Sequence, residues 1–277
     1  TGSITITPKN VTVTANGDSY VFDEGVHADQ GFTFSTLFGS DVLSGVSCLT
    51  SYAKGHAVGT ADFTYCQQVL GSNSNYAITF VNGSVSVVKA TTSVTLTKSA
   101  SSVSYSQNLV LTATLSKSDA TGTVTFSDDF GSIPSCTDVA VVNGVATCTL
   151  TNYSPDSYTF SASYSGDNNY PSGSSNSVGV TFVKAAQDAF DLKTLNGSYG
   201  APLGLSWTGG NSSVEAVVTF ANGTGICALS GTTLTVTKAG TCFITINQAG
   251  DDNWLTATAG VFTVTFAKTG QSNLVLT

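Results

Sequence analysis

Apolar residues recur at every second position over most of this chain. Leu109, Leu111, Ala113 and Leu115 alternate with small or polar neighbours, and so do Val124 and Phe126, then Tyr158, Phe160, Ala162 and Tyr164, then Val178, Val180 and Phe182. A period of two puts one set of side chains on one face of an extended strand, so each run predicts a strand with one buried side. Two Asn-Gly pairs punctuate the alternation: Asn143-Gly144 stands between Val139–Val142 and Val145–Cys148, and Asn82-Gly83 between Ile78–Phe80 and Val85–Val87. A two-residue type I′ turn requires positive φ at both central positions, which Asn and Gly tolerate, so both pairs are expected to close β-hairpins.

The alternation itself repeats. Lys9, Lys89, Lys184 and Lys268 each close a β-branched run, at intervals of 80, 95 and 84 residues. Recurrence at a domain-sized interval implies one unit copied three times. The expected boundaries are 10–89, 90–184 and 185–268; residues 1–9 read as the closing strand of a preceding repeat or an N-terminal strand, and 269–277 as the opening strand of a following repeat or a C-terminal strand. Many short strands separated by turns indicate immunoglobulin-type β-sandwiches, with a barrel as the alternative. The expected fold is all-β, with three tandem immunoglobulin-like sandwiches in an extended array. Ala90-Thr91-Thr92 and Ala185-Ala186-Gln187 link them without Gly or Pro, so the array is expected to be a rod on the order of 100 to 130 Å long.

Only 9% of the residues are charged, Arg and Met are absent, and Glu24 and Glu215 are the only glutamates, so no amphipathic helix is expected. Six cysteines fall two per repeat with no C-x-x-C. That distribution argues against zinc and redox motifs and for the disulfides Cys48–Cys66, Cys136–Cys148 and Cys227–Cys242, six buried thiols being the alternative. Such staples suit small domains and place the chain outside the cytoplasm. Cys148 and Cys242 share a strand face with apolar residues, whereas Cys66 follows Asp62 and Thr64, so the first bridge is expected nearer the surface. The net charge of −8 and nine dispersed lysines leave no basic footprint for nucleic acid. No apolar run is long enough to insert this segment in a membrane.

Catalytic signatures are missing. His27 and His56 are the only histidines and read as ordinary loop residues; neither H-E-x-x-H nor G-x-S-x-G occurs. Adjacent carboxylates such as Asp23-Glu24 and Asp128-Asp129 would face opposite ways in a strand and could not cooperate on one substrate. Trp207 is the first exposed-aromatic contact to consider for adhesion, although its alternation with Leu203 and Leu205 assigns it to a core. The sequons at Asn10, Asn82, Asn152, Asn196, Asn211 and Asn222 read as incidental in a Ser/Thr-rich chain.

A second feature recurs with the lysines. Gly71-Ser72-Asn73-Ser74-Asn75-Tyr76, Gly166-Asp167-Asn168-Asn169-Tyr170 and Gly250-Asp251-Asp252-Asn253-Trp254 each precede the closing part of a repeat. Their carboxylates leave calcium at the domain junctions open, but each turn offers too few oxygens for the six to eight that calcium takes, and no metal site or cofactor is expected. The aromatic that ends each turn is expected to plug the end of a sandwich. A tyrosine-bearing strand, then Gly-Asp-x-Asn-Tyr, then a closing strand ending in Val183-Lys184-Ala185 closely resembles the bacterial immunoglobulin-like repeats of large secreted surface proteins. Residues 10–89, with Val11-Thr12-Val13-Thr14-Ala15-Asn16 and Asn75-Tyr76-Ala77-Ile78-Thr79-Phe80, resemble the related MBG-type repeat of such adhesins; residues 185–268, with Ser198-Tyr199-Gly200 and Ala239-Gly240-Thr241, resemble a third variant.

The resemblance implies an extracellular, cell-surface protein whose partners are neighbouring immunoglobulin-like domains or identical subunits, with a surface ligand that the fold does not name. Two roles follow. One is a structural or adhesive stalk segment that holds other domains away from the cell. The other is a subunit of a pilus-like filament, assembled head to tail by strand pairing through its terminal strands, with Ile4 and Ile6 at one end and Leu274 and Leu276 at the other.

Overall fold

The computed structural model describes residues 2–23, 25–28, 30–69, 74–223, 225–257 and 260–270. Among them the regular structure is β throughout, apart from one 3-10 turn at Pro134–Cys136, and no helix is long and apolar enough to cross a membrane. The chain gathers into two compact units, the first made of Thr1–Thr97, Thr112–Cys148 and Ser161–Ser177, the second of Lys98–Leu111, Thr149–Phe160 and Val178–Thr277. Their boundary therefore runs through the middle repeat and does not follow the repeat boundaries.

In the first unit, the first repeat folds as two facing sheets. One has the order Phe32–Phe34, Lys9–Ala15, Tyr76–Val81; the other has the order Asp18–Val21, Gly83–Val88, Asp62–Gln68, Val46–Thr50. Val11, Val13 and Ala15 from one sheet and Cys48 and Cys66 from the other share a core, while Lys9, Asn10 and Thr12 point outward. The middle repeat contributes strand residues 94–97, 112–115 and 145–148, and pairs Thr123–Asp128 with residues 161–164. Val124 and Phe126 are fully buried there.

In the second unit, Ser157–Phe160 pairs with Val178–Thr181, whose strand runs parallel to Ser102–Ser104. The third repeat sets the order Asn196–Ser198, Val261–Ala267, Gly240–Asn247, Val217–Phe220 against Leu203–Gly204, Thr233–Val236, Cys227–Ser230. Leu234, Ile244, Ile246 and Val264 are fully buried between them, with Trp207 packed against the cluster. Trp207 thus belongs to the core side of its expectation.

The two Asn-Gly pairs part company. Asn143 and Gly144 have φ of 51° and 73°, and Val142 bridges Val145, as a type I′ turn requires. Asn82-Gly83 closes no hairpin: Tyr76–Val81 and Gly83–Val88 lie in different sheets, and the pair is where the chain crosses between them. Gly83 is needed for closeness instead of for φ, because a Cβ there would stand 2.4 Å from the Ala15 carbonyl oxygen and 2.5 Å from the Thr64 hydroxyl. The first strand begins at Lys9, which pairs with Tyr76. Ile4 and Ile6 are 92% and 90% exposed, while Leu274 and Leu276 lie outside the described residues.

The structure joins Cys48 to Cys66, Cys136 to Cys148 and Cys227 to Cys242, and no described cysteine is free. The bridges close loops of 18, 12 and 15 residues, which in the chain-entropy picture stabilises the fold by roughly 3 kcal/mol each. Against expectation, the first bridge is buried, with Cys48 and Cys66 at 3% and 6% exposure. Asp62 and Thr64 are buried on the same strand face because both are satisfied. Asp62 accepts from Ser51 Oγ and His56 Nδ1, each at 3.0 Å, and Thr64 donates to the Asn16 carbonyl at 2.6 Å.

Candidate functional site

The three repeats end alike. A short strand runs parallel to the closing strand in one register, with Val21 beside Val88, Ser104 beside Val183 and Ser198 beside Ala267. The next residue of the short strand, Phe22, Tyr105 or Tyr199, donates its N–H to the carbonyl of Val88, Val183 or Ala267 at 2.8, 2.8 and 2.9 Å. The next residue of the closing strand is Lys89, Lys184 or Lys268. Each repeat thus finishes with an aromatic ring and a lysine at one pole.

In the first unit this pole meets the Gly166–Tyr170 turn. Lys89 Nζ donates to the Asp167 carbonyl, Ala90 N–H donates to the Asn169 carbonyl at 2.9 Å, and the Phe22 ring meets Tyr170 edge-on at 5.7 Å. The turn is held by its own carboxylate. Asp167 Oδ1 accepts the N–H groups of Asn169 and Tyr170, both at 2.8 Å, and Oδ2 accepts the N–H and hydroxyl of Thr121 at 2.7 and 2.9 Å. Burial pushes this carboxyl up, but the N–H donors of Thr121, Asn169 and Tyr170 outweigh it and hold Asp167 below its usual value. Tyr170 is buried and donates its hydroxyl to Asp119 at 2.7 Å. Tyr164 braces the Thr121 loop by donating to the Thr121 carbonyl at 2.6 Å, and burial, then the Asp167 charge, pushes its hydroxyl up.

The second unit repeats the arrangement with different residues. Lys184 Nζ donates to the Asp251 carbonyl, Ala185 N–H to the Asn253 carbonyl at 3.0 Å, and the Tyr105 ring meets Trp254 edge-on at 5.4 Å. Asp251 Oδ1 accepts from Asn253 and Trp254 N–H at 2.9 and 3.0 Å; Oδ2 accepts the N–H and hydroxyl of Ser213 at 2.8 and 3.1 Å. The N–H groups of Ser213 and Asn253 hold Asp251 well below the usual carboxylate range. In both turns the carboxylate oxygens already face N–H and O–H donors, so calcium would have to displace them.

The expectation that Tyr170 and Trp254 plug their own sandwich was incomplete, since each also packs on the aromatic of the preceding repeat. Phe22, Tyr105, Thr121 and Ser213 went unread in the sequence because their roles need partners about 40 to 150 positions away. The structure also moves Lys9 by one position in the repeat. Lys9 N–H donates to the Asn75 carbonyl at 2.9 Å and Lys9 pairs with Tyr76, so it matches Ala90 and Ala185, and Pro8 stands where the clasping lysine would be. A cavity of about 540 Å³ opens beside it, lined by Ile6, Pro8, Phe38 and Tyr76 among others.

The two histidines do not stand alone. His27 stacks on Tyr20 at 4.0 Å and lies 3.1 Å from Asp23, and Tyr52 meets both His27 and His56 edge-on. His56 also lies 3.0 Å from the buried carboxylate of Asp62.

Residues 11–86 match the family described as MBG domain (YGX type), and residues 96–183 match the family described as bacterial Ig-like domain (group 3). Among solved structures, a tandem segment of titin aligns with 13% identity and a TM-score of 0.34 over 94% of this chain and 100% of that one. The Escherichia coli adhesin FdeC aligns with 12% identity and a TM-score of 0.29 over 93% and 96%. Domains 1–6 of the surface layer protein SbsC align with 16% identity and a TM-score of 0.31 over 94% and 40%. No curated protein matches the sequence. The chain thus carries an MBG domain of the YGX type at residues 11–86, followed by a group 3 bacterial Ig-like domain at residues 96–183.

Proposed function

We propose that this chain is a structural and adhesive stalk segment of a bacterial extracellular surface protein, its successive repeats holding another domain away from the cell. The observation that carries this reading is the clasp that recurs at both junctions. The lysine at the end of one repeat, the peptide after it and an aromatic from the short parallel strand all engage the turn of the next repeat. A linker pinned at three points has little conformational freedom left, which is what a spacer needs and a string of flexible beads lacks. Three disulfides support life outside the cell, where no reductant opens them. Small-angle scattering tests the reading. An elongated particle is expected; a radius of gyration of about 20 Å, that of a single compact domain of this length, would sink it.

The exposed Ile4 and Ile6 ahead of the first strand favour a second reading, a filament subunit that pairs its terminal strands with the next copy. The mass of the native polypeptide separates the two. A chain far heavier than 28.2 kDa fits the stalk, and one near that mass fits the filament.

A further inference from the structure

The pole of the third repeat carries the donor half of the clasp with its acceptor missing among the described residues. Ser198 and Ala267 stand in the register of Val21 with Val88 and of Ser104 with Val183, and Tyr199 and Lys268 follow them as Phe22 and Lys89, or Tyr105 and Lys184, follow theirs. The geometry is the same and the covering is not. Phe22 is 6% exposed beneath Tyr170 and Tyr105 is half-buried beneath Trp254, whereas Tyr199 is 42% exposed. Lys268 is exposed and makes no hydrogen bond or ion pair among the described residues.

We propose that Tyr199, the end of strand Val261–Ala267 and Lys268 form a docking surface for the Gly-Asp-x-Asn-aromatic turn of a further Ig-like repeat carried downstream on the same polypeptide. The inference rests on the stalk reading and names the partner at one end of it. Three features select this occupant. In both existing junctions the lysine ammonium meets a turn carbonyl and the preceding aromatic meets the turn's ring, so the surface presents the groups that this kind of turn engages. The residue after the lysine, Ala90 or Ala185, itself donates to the turn, so the chain that supplies the turn is the chain that continues from the lysine. Leu274 and Leu276 lie six and eight residues beyond Lys268 in the sequence, the spacing of Phe190 and Leu192 beyond Lys184. Leu192 is a buried core residue of the third repeat, with Phe190 packed on the same core. A second copy of this chain is disfavoured as occupant, because the Asn75 carbonyl of its first turn is already taken by its own Lys9 N–H.

The test prolongs the full chain after Lys268 with a second copy of residues 185–268 and places spin labels, as a non-cysteine amino acid, at Thr263 and at the same position of the added copy. Pulsed electron–electron distance measurement is expected to give one narrow peak, which Lys268→Met with Tyr199→Ala broadens at least twofold. The added repeat is first checked for its disulfide, so that a misfolded copy is not scored. A broad distribution in the unsubstituted prolonged chain, or a width indifferent to the two substitutions, overturns the proposal. Scattering from the unprolonged chain reads the stalk separately, so the two failures are distinguishable.

Discussion

The junction at Lys89 and the junction at Lys184 use the same clasp but close it differently at the asparagine. Asn169 Oδ1 accepts the Val58 N–H at 3.2 Å, a bond supplied by a loop of the first repeat. Asn253 Oδ1 is buried and has no hydrogen-bond partner among the described residues. The second junction is braced elsewhere. Gln187 Nε2 donates to the Leu255 carbonyl at 2.7 Å, Gln187 Oε1 accepts Asn211 and Ser212 N–H at 3.0 and 3.1 Å, and Leu255 N–H returns to the Ala185 carbonyl at 2.8 Å. The shared part is therefore the backbone-directed set of aspartate, lysine and ring pair. The loops around it are free to differ, because a carbonyl and a peptide N–H are present whatever residue carries them.

Removing the aspartates should break both junctions. Asp167→Ala strips four donors of their acceptor and is expected to cost about 2 kcal/mol; Asp251→Ala should loosen the second turn, whose N–H groups lose the same acceptor. Denaturant melts and hydrogen exchange at the amides of Asn169, Tyr170, Asn253 and Trp254 read the effect, and slow exchange retained in both variants would refute the shared role.

Exchanging the asparagines should separate the junctions. Asn169→Ala is expected to cost about 1 kcal/mol, because the Val58 N–H loses its partner, while Asn253→Ala removes an unpaired buried oxygen and should cost less or stabilise slightly. Equal losses in the two melts would contradict the difference described above. Lys89→Met and Lys184→Met should each cost roughly 0.5 kcal/mol, since both side chains are exposed, yet both should loosen their junction in exchange experiments on the amides of Ala90 and Ala185.

Acid should give the smallest and most graded effect. Both aspartates are held below their unfolded values in the native turn, so their contribution is complete above about pH 4 and declines as pH falls through each folded value. Asp251 is held further down than Asp167. Exchange at Tyr170 should therefore rise at a higher pH than exchange at Trp254 on acidification, and the reverse order would show that the N–H donors do not set the two values.

Period-two alternation was enough to find the strands, since a half-buried strand needs nothing more local than the identity of every second residue. It failed where burial depends on a distant partner. Asp62 and Thr64 looked like an outward face, yet Ser51, His56 and Asn16 satisfy them inside. Asn-Gly was correctly informative at residue 143, where φ is positive, and misleading at residue 82, where the same dipeptide serves a crossover and glycine admits a carbonyl at close range. The lysine repeat was visible but not its purpose, and at Lys9 even its register was off by one.

By itself, the sequence determined the all-β character, the repeat and the two-per-repeat distribution of cysteines, because each follows from local pattern and spacing. Only the tertiary structure decided which sheet each strand joins, that Asp167 and Asp251 bind backbone N–H groups, and that Phe22 and Tyr105 seat the ring of the next repeat. Those outcomes depend on groups brought together from far apart in the chain, and hydrogen bonds and ring contacts over such separations leave no periodic trace in the residues that make them.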